Sequence, residues 1–396
     1  MDLDTFFVSC ERLLDSRLNN KPILVGGTSD RGVVASCSYE ARTYGIHSAM
    51  PMKMARQLCP EAIIIRGNSG IYSKYSNMVT EIIKERVPVY EKTSIDEFYI
   101  DLTGMDQFFG CYSLASEIRQ TIMKETGLPI SFGMSANKTV SKVATGEAKP
   151  NNQKDIARGL EKPFLAPLPV KKIPMVGSKT ALLLRKMGVQ QIKTLQQMPK
   201  EMMERTFGVN GVAIWKKANG IDPSPVIPYN ERKSISMERT FERDTVDVQR
   251  LKDLIRSMAE KLAYELRMGN RLTACVTVKI RYSDFSTYSK QRRIPYSSSD
   301  HKLLKCTQEL FDSLYERRLS IRLVGVRFSH LITGGHQIDL FEDNVDTLNL
   351  YEAMDRIRNR YGSSKIFRAS AIKSQNLSRG NPFNGEPNII PAHRRA

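Results

Sequence analysis

The stretch SIDEFYIDL, residues 94–102, sets two adjacent carboxylates, Asp96 and Glu97, among Ile95, Phe98, Tyr99 and Ile100. A charge buried unpaired in an apolar segment is expensive, and neighbouring side chains of a regular strand point to opposite faces. The two carboxylates can therefore converge only at a turn or bulge. That makes VPVYEKTS and EFYIDL the two arms of a strand–turn–strand unit, and the rest of the chain must supply what the bend faces.

The first residues offer a partner. MDLDTFFVSC reads as the end of a strand running into a helix, with Asp2 at the strand end and Leu3-Asp4-Thr5-Phe6-Phe7 after it. Asp2, Asp96 and Glu97 would make three carboxylates within reach of one point. Such a group repels itself unless cations sit among its members, and hard divalent ions with oxygen ligands, Mg²⁺ foremost, suit it. Taken alone, D-x-D and D-E are equally explained by turns and caps, which Asp favours.

The segments between them alternate. PILVGG (22–27) and RGVVASCS (31–38) read as short strands around a Gly-containing turn, and YEARTYGI and PMKMARQLCP as helices. Tyr72, Tyr75, Val79, Ile82, Ile83 and Val87 keep helical spacing. SLASEIRQTIMKET is a further helix, PISFGMSAN a strand, and NKTVSKVATGEAKP a helix closing at Pro150. This alternation predicts an α/β layer with helices covering one sheet. From about residue 160 the chain turns helical, short-looped and basic, and a Pro-rich linker (220–234) follows. Beyond it come a helix (248–268), strand-like TACVTVKIRYSDFSTYSKQRRIPY, a helix (301–317), strand-like IRLVGVRFSHL, a short helix (349–361) and a polar tail.

At 396 residues the chain suggests two to four units. Its 60 Lys+Arg against 42 Asp+Glu give a net charge of +18, which implies a polyanionic partner, nucleic acid ahead of a membrane surface. Residues 231–330 alone hold 21 basic and 13 acidic side chains, the balance of a surface facing phosphates. The 6 cysteines include no CxxC pair, so neither a disulfide framework nor a zinc site is expected. No apolar run approaches the length that spans a bilayer, no signal pattern opens the chain, and a cytoplasmic location is expected.

Two further constellations bear on chemistry. Ser36, Tyr39 and Arg42, in SCSYEAR, could share one side of a helix start, where hydroxyls and an Arg fork suit phosphate oxygens; an N-cap and a surface ion pair would explain them too. Lys149, in GEAKPN, stands just before a helix-ending proline, which should fix its position. By itself it could equally be a solvated surface lysine.

Together, D-L-D-T-F-F, S-Y-E-A-R, S-A-M-P, S-I-D-E, N-K and A-K-P-N, in this order and spacing, resemble the Y-family translesion DNA polymerases. The likeness runs from residue 1 to about 345. It is nearest the DinB (DNA polymerase IV) branch, with some features of the UmuC branch. It implies a multidomain α+β and α/β fold shaped like a right hand. Residues 1–8 and 68–158 would form the catalytic palm, 9–67 the fingers, and 159–227 a helix-hairpin-helix thumb. A linker (228–233), an α/β little finger (234–345) and a C-terminal helix with flexible tail (346–396) would follow.

Residue by residue, the resemblance makes Asp2, Asp96 and Glu97 the metal-binding carboxylates, with the Leu3 carbonyl as a further ligand of two Mg²⁺ ions that Mn²⁺ could replace. Asp4 and Asp101 are read as structural. Ser36, Tyr39, Arg42 and Lys149 align with residues that hold the incoming triphosphate. Phe7 stands at the steric gate against a ribose 2′-hydroxyl, while Phe6 packs the core. Val33 and Ala35 would roof the nascent base pair, and small side chains there leave a loose pocket that tolerates damaged templates at the expense of discrimination. No second acidic cluster marks a proofreading exonuclease. IPMVGSKTALLLRKMG resembles a helix-hairpin-helix, except that Met175 stands where the first glycine is common. Gln337-Ile338-Asp339-Leu340-Phe341 looks like the Q-x-x-L-F peptide that docks on the sliding clamp, with Gln337 offering hydrogen bonds and Leu340 and Phe341 filling an apolar cleft; an edge strand ending the little finger is the other reading. The expected partners are primer-template DNA, dNTP and the clamp, acting on a monomer with no membrane.

Family members begin with several strand residues before the first Asp, and this chain starts at Met1-Asp2. A shortened central strand could weaken the placement of Asp2. The rival expectation is therefore a catalytically inactive relative that binds DNA and clamp.

Overall fold

A two-residue strand, β1 (Asp2–Leu3), turns at Thr5 into α1 (Phe6–Leu14), whose Phe6, Val8 and Cys10 are buried. In this computed structural model, residues 1–106, 110–228, 231–316, 319–334, 345–362 and 366 are described. β2 (Ile23–Gly26), β3 (Val34–Cys37), α2 (Tyr39–Thr43), α3 (Met52–Leu58), β4 (Ile63–Ile65) and α4 (Ser69–Arg86) follow. Next come β5 (Val89–Lys92), β6 (Phe98–Asp101), α5 (Cys111–Thr126), β7 (Ile130–Met134), α6 (Lys138–Ala148) and β8 (Gln153–Asp155). The short helices α7 (Glu161–Leu165), α8 (Ser178–Lys186), α9 (Ile192–Gln197), α10 (Lys200–Phe207) and α11 (Val209–Ala218) complete the first of two compact units, which divide near residue 230.

The single sheet expected for the first part is instead three. β3-β2-β4 form one, β1-β7-β8 another, and β5-β6 a hairpin joined to β1 by an isolated bridge between Asp2 and Glu97. The division follows from β2, which is buried on both faces. Its Leu24 faces a small core with Val34, Cys37, Ala41, Met52 and Ala55. Ile23 and Val25, one residue to either side, face a larger core with Leu3, Phe6, Tyr72, Ile83, Phe98, Ile118 and Ile130. Strand periodicity thus directs one segment into two cores.

A third core joins Val140, Val143 and Ala144 of α6 to Val170, Ile173, Leu184, Ile192, Leu195 and Ile214. α6 also lies unusually close to β7 at Gly133, where an added Cβ would stand 2.4 Å from the Thr145 nitrogen. Only glycine permits that approach, and Gly133 N–H donates to Thr145 Oγ1 at 2.8 Å across it.

The segment read as a linker is fastened over its first half. Asn137 Nδ2 donates to the Gly220 carbonyl, Thr139 Oγ1 to Asp222, and Ile227 N–H to Glu91.

The second unit is an antiparallel sheet, β9 (Ser234–Thr245), β10 (Arg271–Tyr282), β11 (Thr287–Ser297) and β12 (Ile321–Thr333), in the order β11-β10-β12-β9. α12 (Val248–Met268) and α13 (Asp300–Leu314) pack on one face through Leu254, Met258, Leu262, Leu303 and Phe311 against Val276, Val278, Ile280, Val324, Val326 and Phe328. α14 (Val345–Tyr361) starts four residues earlier than its pattern indicates. It is pinned to α12 by the buried Arg358–Glu260 pair at 2.7 Å. All six cysteines are free, and among the described residues no helix is long and apolar enough to cross a membrane.

Candidate active site

β1 runs between two strands. On one side Asp2 and Leu3 pair with Ser131 and Ile130 of β7. On the other, Leu3 N–H donates to the Asp96 carbonyl at 3.1 Å, and Phe98 N–H to the Met1 carbonyl at 3.0 Å. The backbone thus brings Asp2, Asp96 and Glu97 to one strand end from segments some ninety residues apart. The bend at Asp96 is built by Ser94, whose Oγ accepts from Glu97 N–H at 3.0 Å and donates to Asp96 Oδ1 at 2.5 Å. Asp4, read as structural, is 1% exposed and accepts from Ser131 Oγ at 2.9 Å.

Each acid has a partner. Lys149, capping α6, donates to Asp2 and to the Leu3 carbonyl (3.2 Å). Lys142 of α6 reaches both Glu97 oxygens at 2.6 Å. Burial pushes the Asp2 carboxyl up to about 6 against the pull of Lys149, and Asp96 and Glu97 add to the rise. Burial likewise raises Asp96. Among the described residues, no three acidic, His or Cys side chains stand close enough to share one ion; sharing one would require the carboxylates to swing from Ser94 and Lys142. The donors nevertheless fit a divalent cation. They are all oxygens, as hard ions require, and the Lys149 ammonium already sits where the Asp2 carboxylate and the Leu3 carbonyl converge.

The other expected residues lie on α1, β3 and α2. Ser36 is 8% exposed in β3. The cap of α2 is Ser38, which accepts from Ala41 N–H at 3.2 Å; Glu40 pairs with Arg12 at 2.9 Å. Among the described residues, the buried Tyr39 hydroxyl has no hydrogen-bond partner. Burial pushes it up to about 12, with Asp4 and Asp2 nearby adding to the rise. Arg42 lies over the Tyr39 ring at 5.0 Å, with its side chain exposed. A donor without an acceptor, beside an exposed guanidinium, suits an anionic ligand. Val33 is 48% exposed, Val34 is buried, and Ala35 is half-buried where the register of β3 against β2 shifts. Phe6 is 2% exposed in the core. The half-buried Phe7 lies 4.4 Å, centroid to centroid, from Tyr72.

Ser94, Lys142 and Tyr72 were not found by sequence reasoning. Only Ser94 left a signal, a hydroxyl two residues before an acid in a turn.

Two further segments read from the sequence lie one in each unit. In the hairpin before α8, Met175 adopts φ +80°, a left-handed conformation in place of the expected glycine, with 56% of its surface exposed. In the second unit, Thr277, Lys279 and Arg281 lie opposite Gln291, Ser289 and Thr287 of β11 and opposite Arg327, Gly325 and Leu323 of β12. Directly opposed residues share a face, so this helix-free face carries Lys279, Arg281 and Arg327. Gln337, Leu340 and Phe341 lie outside the described residues.

Residues 1–146 match the impB/mucB/samB family model, and residues 232–340 that of the family's C-terminal domain. A DNA polymerase IV of Dehalococcoides mccartyi is 35% identical over 92% of this chain and 95% of its own. A DNA polymerase IV of Treponema denticola is 33% identical over 94% and 96%. Among solved structures, a Y-family DNA polymerase chimera of Dbh and Dpo4 aligns with a TM-score of 0.74 at 26% identity, covering 84% of this chain and 98% of that one. An insertion ternary complex of Dbh DNA polymerase aligns at 0.61, with 26% identity and the same coverage.

Proposed function

The chain belongs to the Y family of DNA polymerases, and from that premise we propose that it performs two-metal nucleotidyl transfer at the Asp2–Asp96–Glu97 strand end. It is a DNA-directed DNA polymerase of the translesion class, with the mixed α/β multidomain fold of that family. The observation that supports the mechanism is the backbone pairing of residues 1–3 with residues 96–98, which brings the three acidic residues to one strand end. Asp2, Asp96, Glu97 and the Leu3 carbonyl would hold the cations, Mg²⁺ or in its place Mn²⁺. When bound, a pair of such ions supplies activation of the primer 3′-hydroxyl and neutralisation of the departing pyrophosphate.

The chain's own groups do the positioning that phosphoryl transfer mainly needs. The Tyr39 hydroxyl, Arg42, Ser36 and Lys149 are donors for the triphosphate of a dNTP. Lys149 would leave Asp2 for a phosphate oxygen, its charge still needed at the same place. Phe7, backed by Tyr72, would close the space beside the sugar, and Val33 and Ala35 would give the base pair a small, permissive roof. Primer-template DNA would lie along the basic face of β10, β11 and β12, held by its backbone without sequence readout. Residues 337–341 would recruit the sliding clamp to a monomeric polymerase. The comparisons give no support to an inactive relative.

Primer extension tests the catalytic reading. Asp96→Ala and Glu97→Ala should each lower kcat by about 10³-fold or more while DNA binding persists; equal activity in all three proteins ends it. For the clamp, Leu340→Ala with Phe341→Ala should remove clamp-stimulated synthesis and spare basal synthesis. Stimulation that survives the double substitution would place the docking peptide elsewhere.

A further inference from the structure

Lys142 has no part in the mechanism above, yet it is bonded to one of its carboxylates. Along α6 and its cap, three ammoniums meet three acids: Lys138 on Glu91 at 2.6 Å, Lys142 on Glu97 at 2.6 Å, and Lys149 on Asp2. Spacings of four and seven residues return side chains to one side of a helix, and the contact at Gly133 holds that side against the sheet. The three pairs are not equivalent. Glu91 is 11% exposed, and it also accepts from Ile227 N–H at 2.8 Å, so its pair with Lys138 is a fixed strut. Lys142 and Glu97 keep 41% and 29% of their side chains exposed, within reach of ions from solvent. A half-exposed ion pair is weak enough to exchange. Lys142 also engages both Glu97 oxygens, so a divalent ion and this ammonium compete for the same atoms.

We propose that Lys142 is the resident counter-cation of Glu97: it holds the carboxylate until a divalent ion displaces it, and its ammonium then takes a phosphate of the primer strand. The proposal rests on Glu97 being a metal ligand, as read above. It makes Lys142 a positioning residue. Without it Glu97 would repel Asp96 and Asp2, and with it the site exchanges one positive charge for another as substrate assembles.

Mn²⁺ binding to the full chain without DNA, followed by electron paramagnetic resonance of the free ion, tests the competition. Lys142→Gln should bind Mn²⁺ about threefold or more tightly than wild type. Lys142→Arg should stay near wild type. Lys124→Gln, which removes a charge from the exposed last turn of α5, should change nothing. Lys142→Ala repeats the test in case the glutamine itself contacts the ion. Equal affinity in wild type, Lys142→Gln and Lys142→Ala overturns the proposal, and so does equal tightening in Lys124→Gln. Mn²⁺ binding that Glu97→Gln leaves intact would instead defeat the metal-ligand reading beneath it. For the second half, the salt dependence of primer-template binding in Ca²⁺ should lose about one unit of slope in Lys142→Gln; an unchanged slope overturns the transfer to phosphate.

Discussion

Phe7 is held by a neighbour that gives no sign of its role in the sequence. Tyr72 is fully buried, its ring lies 4.4 Å from that of Phe7, and its hydroxyl donates to Glu11 at 2.5 Å. A gate that works by steric clash is only as selective as its placement, and a displacement of about 1 Å can cost roughly 10²-fold. Phe7→Ala should therefore lower the ratio of kcat/KM for dNTP over rNTP by about 100-fold. Tyr72→Leu, which removes the backing ring, should lower it by about tenfold with Phe7 still present. Tyr72→Phe keeps the ring and should stay close to wild type. Unchanged sugar selection in Phe7→Ala would remove the gate assignment, and an unchanged ratio in Tyr72→Leu would remove the supporting role of Tyr72. Asp2, Asp96, Glu97 and Lys149 stood out in the sequence because they occur in short ordered motifs. Tyr72 and Lys142 sit on helices at positions any apolar or solvated residue could fill, and only the tertiary approach of α4 to α1, and of α6 to the bend at Glu97, gives them partners.

Among the elements, α6 does most to assemble the first unit. It meets β7 at Gly133, contributes Val140 and Val143 to the core it shares with α8, α9 and α11, and fastens the segment after α11 at its N-terminal end. The pin is Asp222, which accepts from Thr139 Oγ1 at 2.6 Å, Lys217 Nζ at 3.2 Å and Ser224 N–H at 3.2 Å. Burial alone would raise its carboxyl, but the hydrogen bonds of Ser224 and Thr139, with Lys217 nearby, win and hold it down to about 2. Because the folded value lies below the ordinary 3.8, the stabilisation is fully present above about pH 5 and is lost as pH falls toward 2. Asp222→Asn should cost about 1–2 kcal/mol in urea unfolding at pH 7. About half of that difference should be gone by pH 3, and a difference that does not shrink there contradicts the pin. Helices of this kind were legible where the apolar repeat was long: α12 occupies the residues its pattern marks, 248–268. Strand partnership was not. β2, β4 and β8 have three or four residues each, too few for a pattern to say which neighbour they will choose, and a pairing register is a property of two segments at once.

At the scale of the whole molecule, the net charge of +18 predicts a polyanion but not where it lies; the sheet register locates one face. Lys279, Arg281 and Arg327 share the side that α12 and α13 leave open, whereas Arg292 lies opposite Val276 and pairs with Glu309 of α13. Lys279 is itself shared with Glu238 at 2.8 Å, across Gly325, where an added Cβ would come within 2.7 Å of the Glu238 side chain. Part of the positive face is therefore held by an internal acid, and the phosphate contacts proposed for this face fall mainly to Arg281 and Arg327. Neutralising a phosphate releases a counterion, so each such contact contributes about 0.9 to the slope of log K against log salt. Arg281→Ala and Arg327→Ala should each reduce the slope for primer-template DNA by about one, and should weaken binding equally on templates of different sequence. Arg292→Ala, on the helix side, should leave the slope unchanged. A slope that falls for Arg292→Ala and not for Arg281→Ala would put the duplex on the opposite side of the sheet. A loss confined to some template sequences would mean that this face reads bases rather than backbone.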